Sequence, residues 1–293
     1  MRQYFLILAD AELELVPTRI VEERCVLNSA RARNKIPEKM LLDASHHHPA
    51  FRKLKDGDRR GRPDLVHMFL LLSLDSDANA EGRLRVFVHT RNDDVVAVKP
   101  ETRLPPNYIR FVGLIEQLFD QQVVPSRENA LLELRHKAPL ATLVAALKPD
   151  SVLVLDPGGE ETSLQDAVSS AEGERVVVIM GGFSKGTFTS DMSKLKAKRV
   201  PLGGRVLKVW TVASKTLRAL EVAKSAPEPS PKSTKKKPAE PVAKKPAAKK
   251  SSAKKPSAKK PAAKKPSAKK PAAKKPVAKK SSGARRARKK PEE

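Results

Sequence analysis

The C-terminal stretch limits most tightly what this chain can fold into. From Ala243 to Lys280 it repeats a unit of the AKKP type, reading AKKPAAKK, AKKPSAKK and AKKPVAKK. Proline returns too often for a continuous helix. The lysines repel one another, and no aromatic residue supplies surface for a core. Residues 224–293 hold 26 Lys and Arg against 4 Glu, a net of +22, which leaves the preceding 223 residues 33 basic and 29 acidic side chains, a net of only +4. The whole-chain net charge of +26 therefore describes the tail, not the fold. The expected organisation is a nearly neutral folded body over residues 1–222, followed by a disordered Lys/Ala/Pro-rich tail over 223–293. The polycation points to a polyanionic partner, and the tail is expected to grip nucleic acid without sequence preference.

The body sets further limits. Cys25 is the only cysteine, which excludes an intramolecular disulfide and a cysteine-based zinc cluster and suits a reducing compartment. The apolar runs at Tyr4–Leu8 and Met68–Leu72 are far too short for a signal-peptide core or a membrane span. No membrane partner is expected, and the localisation expected is cytoplasmic.

Short, β-branched apolar runs predict strands at Tyr4–Leu8, Met40–Ala44, Leu84–His89, Val95–Val98, Val152–Leu155 and Val176–Met180. Helices are predicted over Thr18–Arg33, Leu65–Leu74, Tyr108–Phe119, Leu140–Leu147, Ser163–Ser170 and Val206–Leu220. In Tyr108–Phe119, the residues Phe111, Leu114, Ile115 and Leu118 share one face at i, i+3, i+4, i+7 spacing. Alternating strands and helices imply an α/β layer fold with a largely parallel sheet. Leu84–His89 and Val95–Val98, joined through Asn92-Asp93-Asp94, read as a hairpin within an insertion near residues 78–98.

Three stretches carry candidate chemistry. In Pro37–Asp64, PEKMLLDASHHHPAFRKLKDGDRRGRPD, a strand-like run ends in Asp43, Ser45 and three histidines, then a loop with Arg59, Arg60 and Arg62. Ligands bind beyond the carboxyl ends of strands in open α/β sheets, so polar clusters there are candidates. Adjacent His46, His47 and His48 do not converge easily on one metal, and no thiol or distant carboxylate completes a set, so no metal site is expected. Ring-to-backbone hydrogen bonding or RNA contact is the preferred reading. Pro63 suits a first helical turn, where Asp64 favours the dipole. Asp64 is either only that, or the residue that orients Arg62 toward a phosphate or base. The physics alone leaves these two readings even.

In Pro100–Phe111, PETRLPPNYIRF, Arg103 lies in a proline-stiffened loop and Arg110 in the following helix, with Tyr108 between. Rigid arginines beside an aromatic suit looped RNA, but from these residues alone a solvated helix entry with Tyr108 packed inside is the preferred reading. In Val176–Trp210, the strand VVVIM runs into Gly181-Gly182-Phe183-Ser184-Lys185-Gly186, and Leu202-Gly203-Gly204 precede a helix. Glycines after a strand admit a ligand close to the backbone. The pattern is neither a P-loop nor GxGxxG.

Together the strings PEKMLLDASHHH, RRGRPDLVH, LRVFVHT, TRLPPNYIRFVGLIEQL and VIMGGFSKGTF, with the Leu202–Trp210 segment, cover nearly all of residues 1–222. They resemble the pseudouridine-specific small-subunit (16S) rRNA methyltransferases of the SPOUT class, in their archaeal form. The resemblance implies an α/β sheet with helices on both faces and a C-terminal deep trefoil knot, an exception to the rule against knots. It implies a homodimer, S-adenosyl-L-methionine as cofactor, small-subunit rRNA as partner and a role in ribosome biogenesis. By position, Leu153, Gly181, Gly186, Leu202, Gly203, Gly204, Arg205, Val206 and Leu207 would line the cofactor site. Arg62, Arg103 and Arg110 would contact rRNA, with Asp64 stabilising Arg62. The family commonly has another basic residue where this chain has Pro106, and the Gly203-Gly204 pair is a local variation.

The reaction so implied transfers an activated methyl group to N1 of pseudouridine, so alignment is the main task. No histidine lies in the C-terminal segment to act as base. Asp64 is the one catalytic candidate, but a carboxylate engaged by an arginine is a poorer base, which leaves proton loss open between water and Asp64. Two other readings come from different classes. One is a ribosome-assembly factor whose rRNA binding matters more than methylation, which cofactor binding would discriminate. The other is a DNA binder, because the tail resembles those of linker histones and basic bacterial nucleoid proteins. Loss of all nucleic-acid binding on tail deletion would favour that one.

Overall fold

The computed structural model describes residues 2–159, 162–203 and 206–225. The disorder expected of the tail falls outside the described residues. The strands are β1 (Gln3–Ala11), β2 (Leu84–Thr90), β3 (Val95–Val98), β4 (Val123–Val124), β5 (Leu132–Arg135), β6 (Ser151–Leu155), β7 (Arg175–Gly181) and β8 (Lys198–Val200). The helices are α1 (Arg24–Arg33), α2 (Ala44–His47), α3 (Pro63–Leu74), α4 (Asp77–Ala80), α5 (Tyr108–Gln121), α6 (Leu140–Leu147), α7 (Leu164–Ser169) and α8 (Val209–Ser225). Among the described residues the strands form one eight-stranded sheet in the order β4-β5-β3-β2-β1-β7-β6-β8.

β1 is apolar without alternation because both its faces are covered. Tyr4, Leu6 and Leu8 join a core with Phe69 and Leu70 of α3, Phe111 and Ile115 of α5, Val168 of α7 and Leu217 and Leu220 of α8. Phe5, Ile7 and Ala9 point the other way and meet Leu140 and Val144 of α6, with Leu195. Helices thus lie on both faces, as expected. α5 follows its periodicity: Asn107 caps it by accepting the Arg110 amide at 3.1 Å, and Phe111, Ile115 and Leu118 are buried. Each such apolar side chain stabilises the packing by about 1.5–3 kcal/mol.

β1, β2, β6, β7 and β8 are parallel, so their carboxyl ends open at one edge of the sheet. β2 and β3 form the expected antiparallel hairpin, but it is no appended insertion. β2 pairs in parallel with β1, and its Val86 and Val88 belong to the main core. Local alternation predicts the hairpin and cannot reveal which distant strand it meets.

Other expectations need correcting. Met40–Ala44 is not a strand. It makes one isolated bridge, Leu41 to Leu15, before Asp43 accepts the Ser45 amide and starts α2. Thr18–Arg33 is a short 3-10 turn at Thr18–Ile20 followed by α1. β5 and β8 (LELR and KRV) are too polar to stand out by apolar content. α8 continues through Ser225, three residues beyond the expected body boundary. Among the described residues, no helix is long and apolar enough to cross a membrane.

Candidate cofactor cavity and nucleic-acid interface

A cavity of about 550 Å³ opens at the carboxyl ends of β6 and β7. Leu155 and Asp156 line it from β6, Gly181 from β7, Phe183–Phe188 from the following loop, and Leu202, Gly203, Val206 and Leu207 from the segment before α8. Six of the nine expected cofactor residues, Gly181, Gly186, Leu202, Gly203, Val206 and Leu207, come together here. Gly204 and Arg205 lie outside the described residues. Leu153 does not line this cavity. It is 2% exposed and packs in the sheet core, while Leu155, two residues on and on the same strand face, reaches the cavity instead.

Glycine is required at several of these positions. A Cβ on Gly181 would lie 2.7 Å from two ring carbons of Phe183. Gly186 has φ +79° and Gly203 φ +107°, backbone conformations that side chains with a Cβ rarely adopt. The cavity is therefore walled by bare backbone and by apolar side chains such as Leu155, Phe183, Phe188 and Leu207. Asp156, Ser184, Lys185 and Thr187 add polar groups to the lining, and the volume lies in the range of small-molecule sites.

The loop after β7 is held from beneath by β1. Asp10, at the bent end of that strand with φ 51°, accepts hydrogen bonds from the Thr189 amide (2.7 Å), the Ser190 amide (3.0 Å) and the Ser190 hydroxyl (2.5 Å). Glu12 accepts from Arg59 Nε and, at 2.8 Å, from Arg91 Nη1. Glu14 receives Arg60 through two hydrogen bonds. Burial outweighs the two arginines and raises the Glu12 pKa from its ordinary value. The sequence reading missed these three carboxylates. Their signal is the alternation in ADAELEL, which places Asp10, Glu12 and Glu14 two residues apart.

The loop carrying Arg59 and Arg60 also carries Arg62. Nε and Nη2 of Arg62 donate to the two Asp64 oxygens at 2.8 and 2.7 Å, so Asp64 does orient Arg62. Hydrogen bonding to Asp64 raises the Arg62 pKa further above its ordinary value and keeps the guanidinium charged. Pro63 opens α3 and Asp64 lies in its first turn, as read from the sequence. His67 Nε2, one turn on, donates to the Pro105 carbonyl at 2.9 Å, and its ring stacks on Phe111 with centroids 4.3 Å apart. This contact fastens the proline-stiffened loop to α3. Arg103 and Arg110 are exposed there and form no ion pair among the described residues; Pro106 is exposed between them. Tyr108 donates to Asp43 at 2.5 Å, and burial, followed by that hydrogen bond, raises its pKa well above the phenol range.

The histidine triplet is mainly structural at its centre. His47 is buried and its Nδ1 accepts the Asp43 amide at 3.1 Å, the ring-to-backbone bond expected from the sequence. Burial lowers its pKa to about 4, so the ring is neutral at pH 7. His46 and His48 are exposed.

Two surfaces thus adjoin: an apolar cavity edged by glycine backbone, and an arginine-bearing face at the starts of α3 and α5. Glu12 joins them, because its amide donates to the Gly182 carbonyl at 3.3 Å while its carbonyl accepts the Arg62 amide at 2.9 Å. Residues 6–221 match the family described as EMG1/NEP1 methyltransferase. The chain belongs to that family. The EMG1/NEP1 members most similar in sequence include the ribosomal RNA small subunit methyltransferase Nep1 of Thermococcus onnurineus, 47% identical across 72% of this chain and 95% of that protein. Nep1 of Pyrococcus furiosus is 45% identical across 75% of this chain and 97% of its own length. The crystal structure of Archaeoglobus fulgidus Nep1 bound to S-adenosylhomocysteine is 35% identical, with a TM-score of 0.68, covering 77% of this chain and all of that one. The cavity and the arginine face both fall within the EMG1/NEP1 region.

Proposed function

We propose that this protein transfers the methyl group of S-adenosyl-L-methionine to ring nitrogen N1 of a pseudouridine in small-subunit rRNA, as a step in small-subunit biogenesis. One observation carries the reading: the glycine-edged cavity and the arginine face sit on either side of Glu12, so a cofactor and an RNA loop would meet there. Relatives covering almost their full lengths carry the small-subunit rRNA methyltransferase name, and a structural relative holds the demethylated form of the cofactor.

When bound, the cofactor supplies an electrophilic methyl sulfonium, so the chain's own task is alignment. The backbone around Gly181, Gly186 and Gly203 approaches the ligand, and Leu155, Phe183 and Leu207 exclude water from it. Arg62, Arg103 and Arg110 hold phosphates, with Asp64 keeping the Arg62 fork in one orientation. Both Asp64 oxygens accept from Arg62, and the Tyr108 hydroxyl is committed to Asp43. The ion pair makes Asp64 a weaker base, so the N1 proton passes either to water or to Asp64. A C-terminal deep trefoil knot is part of this proposal and rests on the family likeness. The working unit is a cytoplasmic homodimer, and the basic tail adds non-specific attraction to nucleic acid.

Mass spectrometry of nucleosides from small-subunit rRNA, with and without the gene, tests the proposal. Loss of one N1-methylpseudouridine derivative is expected on deletion. Intact modification with defective subunit assembly would instead favour the assembly-factor reading.

A further inference from the structure

Arg59 is not among the residues expected to touch either ligand, yet it reaches the cofactor side of the molecule from the RNA side. It lies three residues before Arg62, in the loop that leads into α3. Its Nε donates to Glu12, its Nη1 donates to the Thr187 carbonyl at 3.1 Å, and its guanidinium covers the Phe183 ring with Cζ 4.6 Å from the centroid. Thr187 and Phe183 both line the cavity. A Cβ on Gly186 would lie 3.2 Å from Arg59 Nη1, so the close approach depends on that glycine as well. The residue is 9% exposed, and its Nη2 is buried without a partner among the described residues. A buried donor left unmatched is unfavourable and is tolerated where the position of the group has a use.

Arg60 provides the internal comparison. It makes an ion pair of similar burial, with two hydrogen bonds to Glu14, and among the described residues it forms no side-chain hydrogen bond or ion pair with the loop after β7. Two adjacent arginines thus anchor the same loop to alternate carboxylates of the β1 extension, and only Arg59 extends the link to the cavity wall. Asp10 holds the loop further on, at Thr189 and Ser190, and the exposed Lys185–Asp58 pair at 3.4 Å is the other side-chain tie on residues 183–187, which leaves Arg59 as the buried one.

We propose that Arg59 is a positioning residue that holds the 183–187 loop in its cofactor-binding shape, through the Thr187 carbonyl and the Phe183 ring. The part of this inference that concerns the cofactor rests on the proposed function; the part that concerns loop order does not. Lysine at this position keeps the charge for Glu12 and lacks the planar fork that meets a carbonyl and covers an aromatic ring together.

The test uses the full chain with Arg59→Lys, Arg59→Met and Arg60→Met. Hydrogen exchange of residues 183–190 without ligand is measured beside calorimetric titration with S-adenosyl-L-methionine and thermal midpoints. Arg59→Lys and Arg59→Met are expected to raise exchange in the loop and to weaken cofactor binding about tenfold. Arg60→Met is expected to lower the midpoint while leaving loop exchange and cofactor affinity within twofold of wild type. Wild-type loop protection in Arg59→Lys would overturn the proposal, because charge pairing with Glu12 would then suffice. Equal losses in Arg60→Met would overturn it too, since the effect would then be general destabilisation. A wild-type protein that bound no cofactor, with loop exchange still responding only to Arg59, would refute the functional reading and uphold the positioning role.

Discussion

Replacing Gly181 with valine perturbs the cavity through one side chain. The new Cβ would stand 2.7 Å from two carbons of the Phe183 ring, closer than real contacts allow, so the ring must move. The Arg59 guanidinium at 4.6 Å and the Phe188 ring, edge-on at 5.3 Å, occupy two of its sides. The ring is therefore displaced toward the cavity it lines. A ligand must push it back at a cost comparable to the contacts at stake. The cation–π contact contributes about 0.5–1 kcal/mol and the aromatic pair about 0.5–1.5 kcal/mol. Their sum, about 1–2.5 kcal/mol, corresponds to roughly 5- to 70-fold weaker binding. Isothermal titration of Gly181→Val with S-adenosyl-L-methionine measures this directly. Gly113→Ala is a suitable control, since a Cβ there meets nothing within 4 Å. Wild-type affinity in Gly181→Val would refute both the placement of the ligand and the role given to Phe183.

Three further outcomes are expected. Arg62→Ala and Arg103→Ala should each weaken binding of a target rRNA hairpin by about 1–3 kcal/mol in filter assays, with cofactor affinity nearly unchanged; equal losses for both ligands would indicate misfolding instead. His47 has a folded-state pKa of about 4 against an ordinary 6.5, so its contribution to stability is complete above pH 6.5 and is lost as pH falls toward 4. Allowing for solvent screening, His47→Asn should remove about 2 kcal/mol of the acid-dependent loss seen in urea titrations, and an unchanged pH dependence would contradict the buried neutral ring. Deleting residues 226–293 leaves α8 whole and should flatten the salt dependence of binding to random RNA, duplex DNA and target hairpin alike, while preference for the target survives. Loss of that preference would make the tail part of the recognition surface.

Much of this protein is determined locally and is legible in the sequence alone. The apolar run of β1, the i, i+3, i+4 face of α5, the Pro63-Asp64 helix start and the charge of the tail each depend on neighbours within a few residues. Gly181, Gly186 and the arginines at 62, 103 and 110 stand out through the family resemblance, whereas their residue types alone leave blander readings open. What the pattern of burial cannot report is the partner that does the burying. Periodicity predicts the Leu84–Val98 hairpin but not that β2 lies beside β1, and it reads Met40–Ala44 as a strand although only Leu41 finds a bridge. Polar strands such as Lys198–Val200 exist because β6 offers unpaired backbone groups, which no property of their own side chains reveals. The same holds at the candidate site. Leu153 and Leu155 are equivalent in the sequence, and only the folded chain places Leu155 at this cavity and Leu153 at another. Arg59 reads as one more charge in a basic loop until the chain brings Glu12, 47 residues away, and Thr187, 128 residues away, to its two ends. Contacts across such separations are set by how the sheet and helices pack as a whole, and therefore only the tertiary structure decides them.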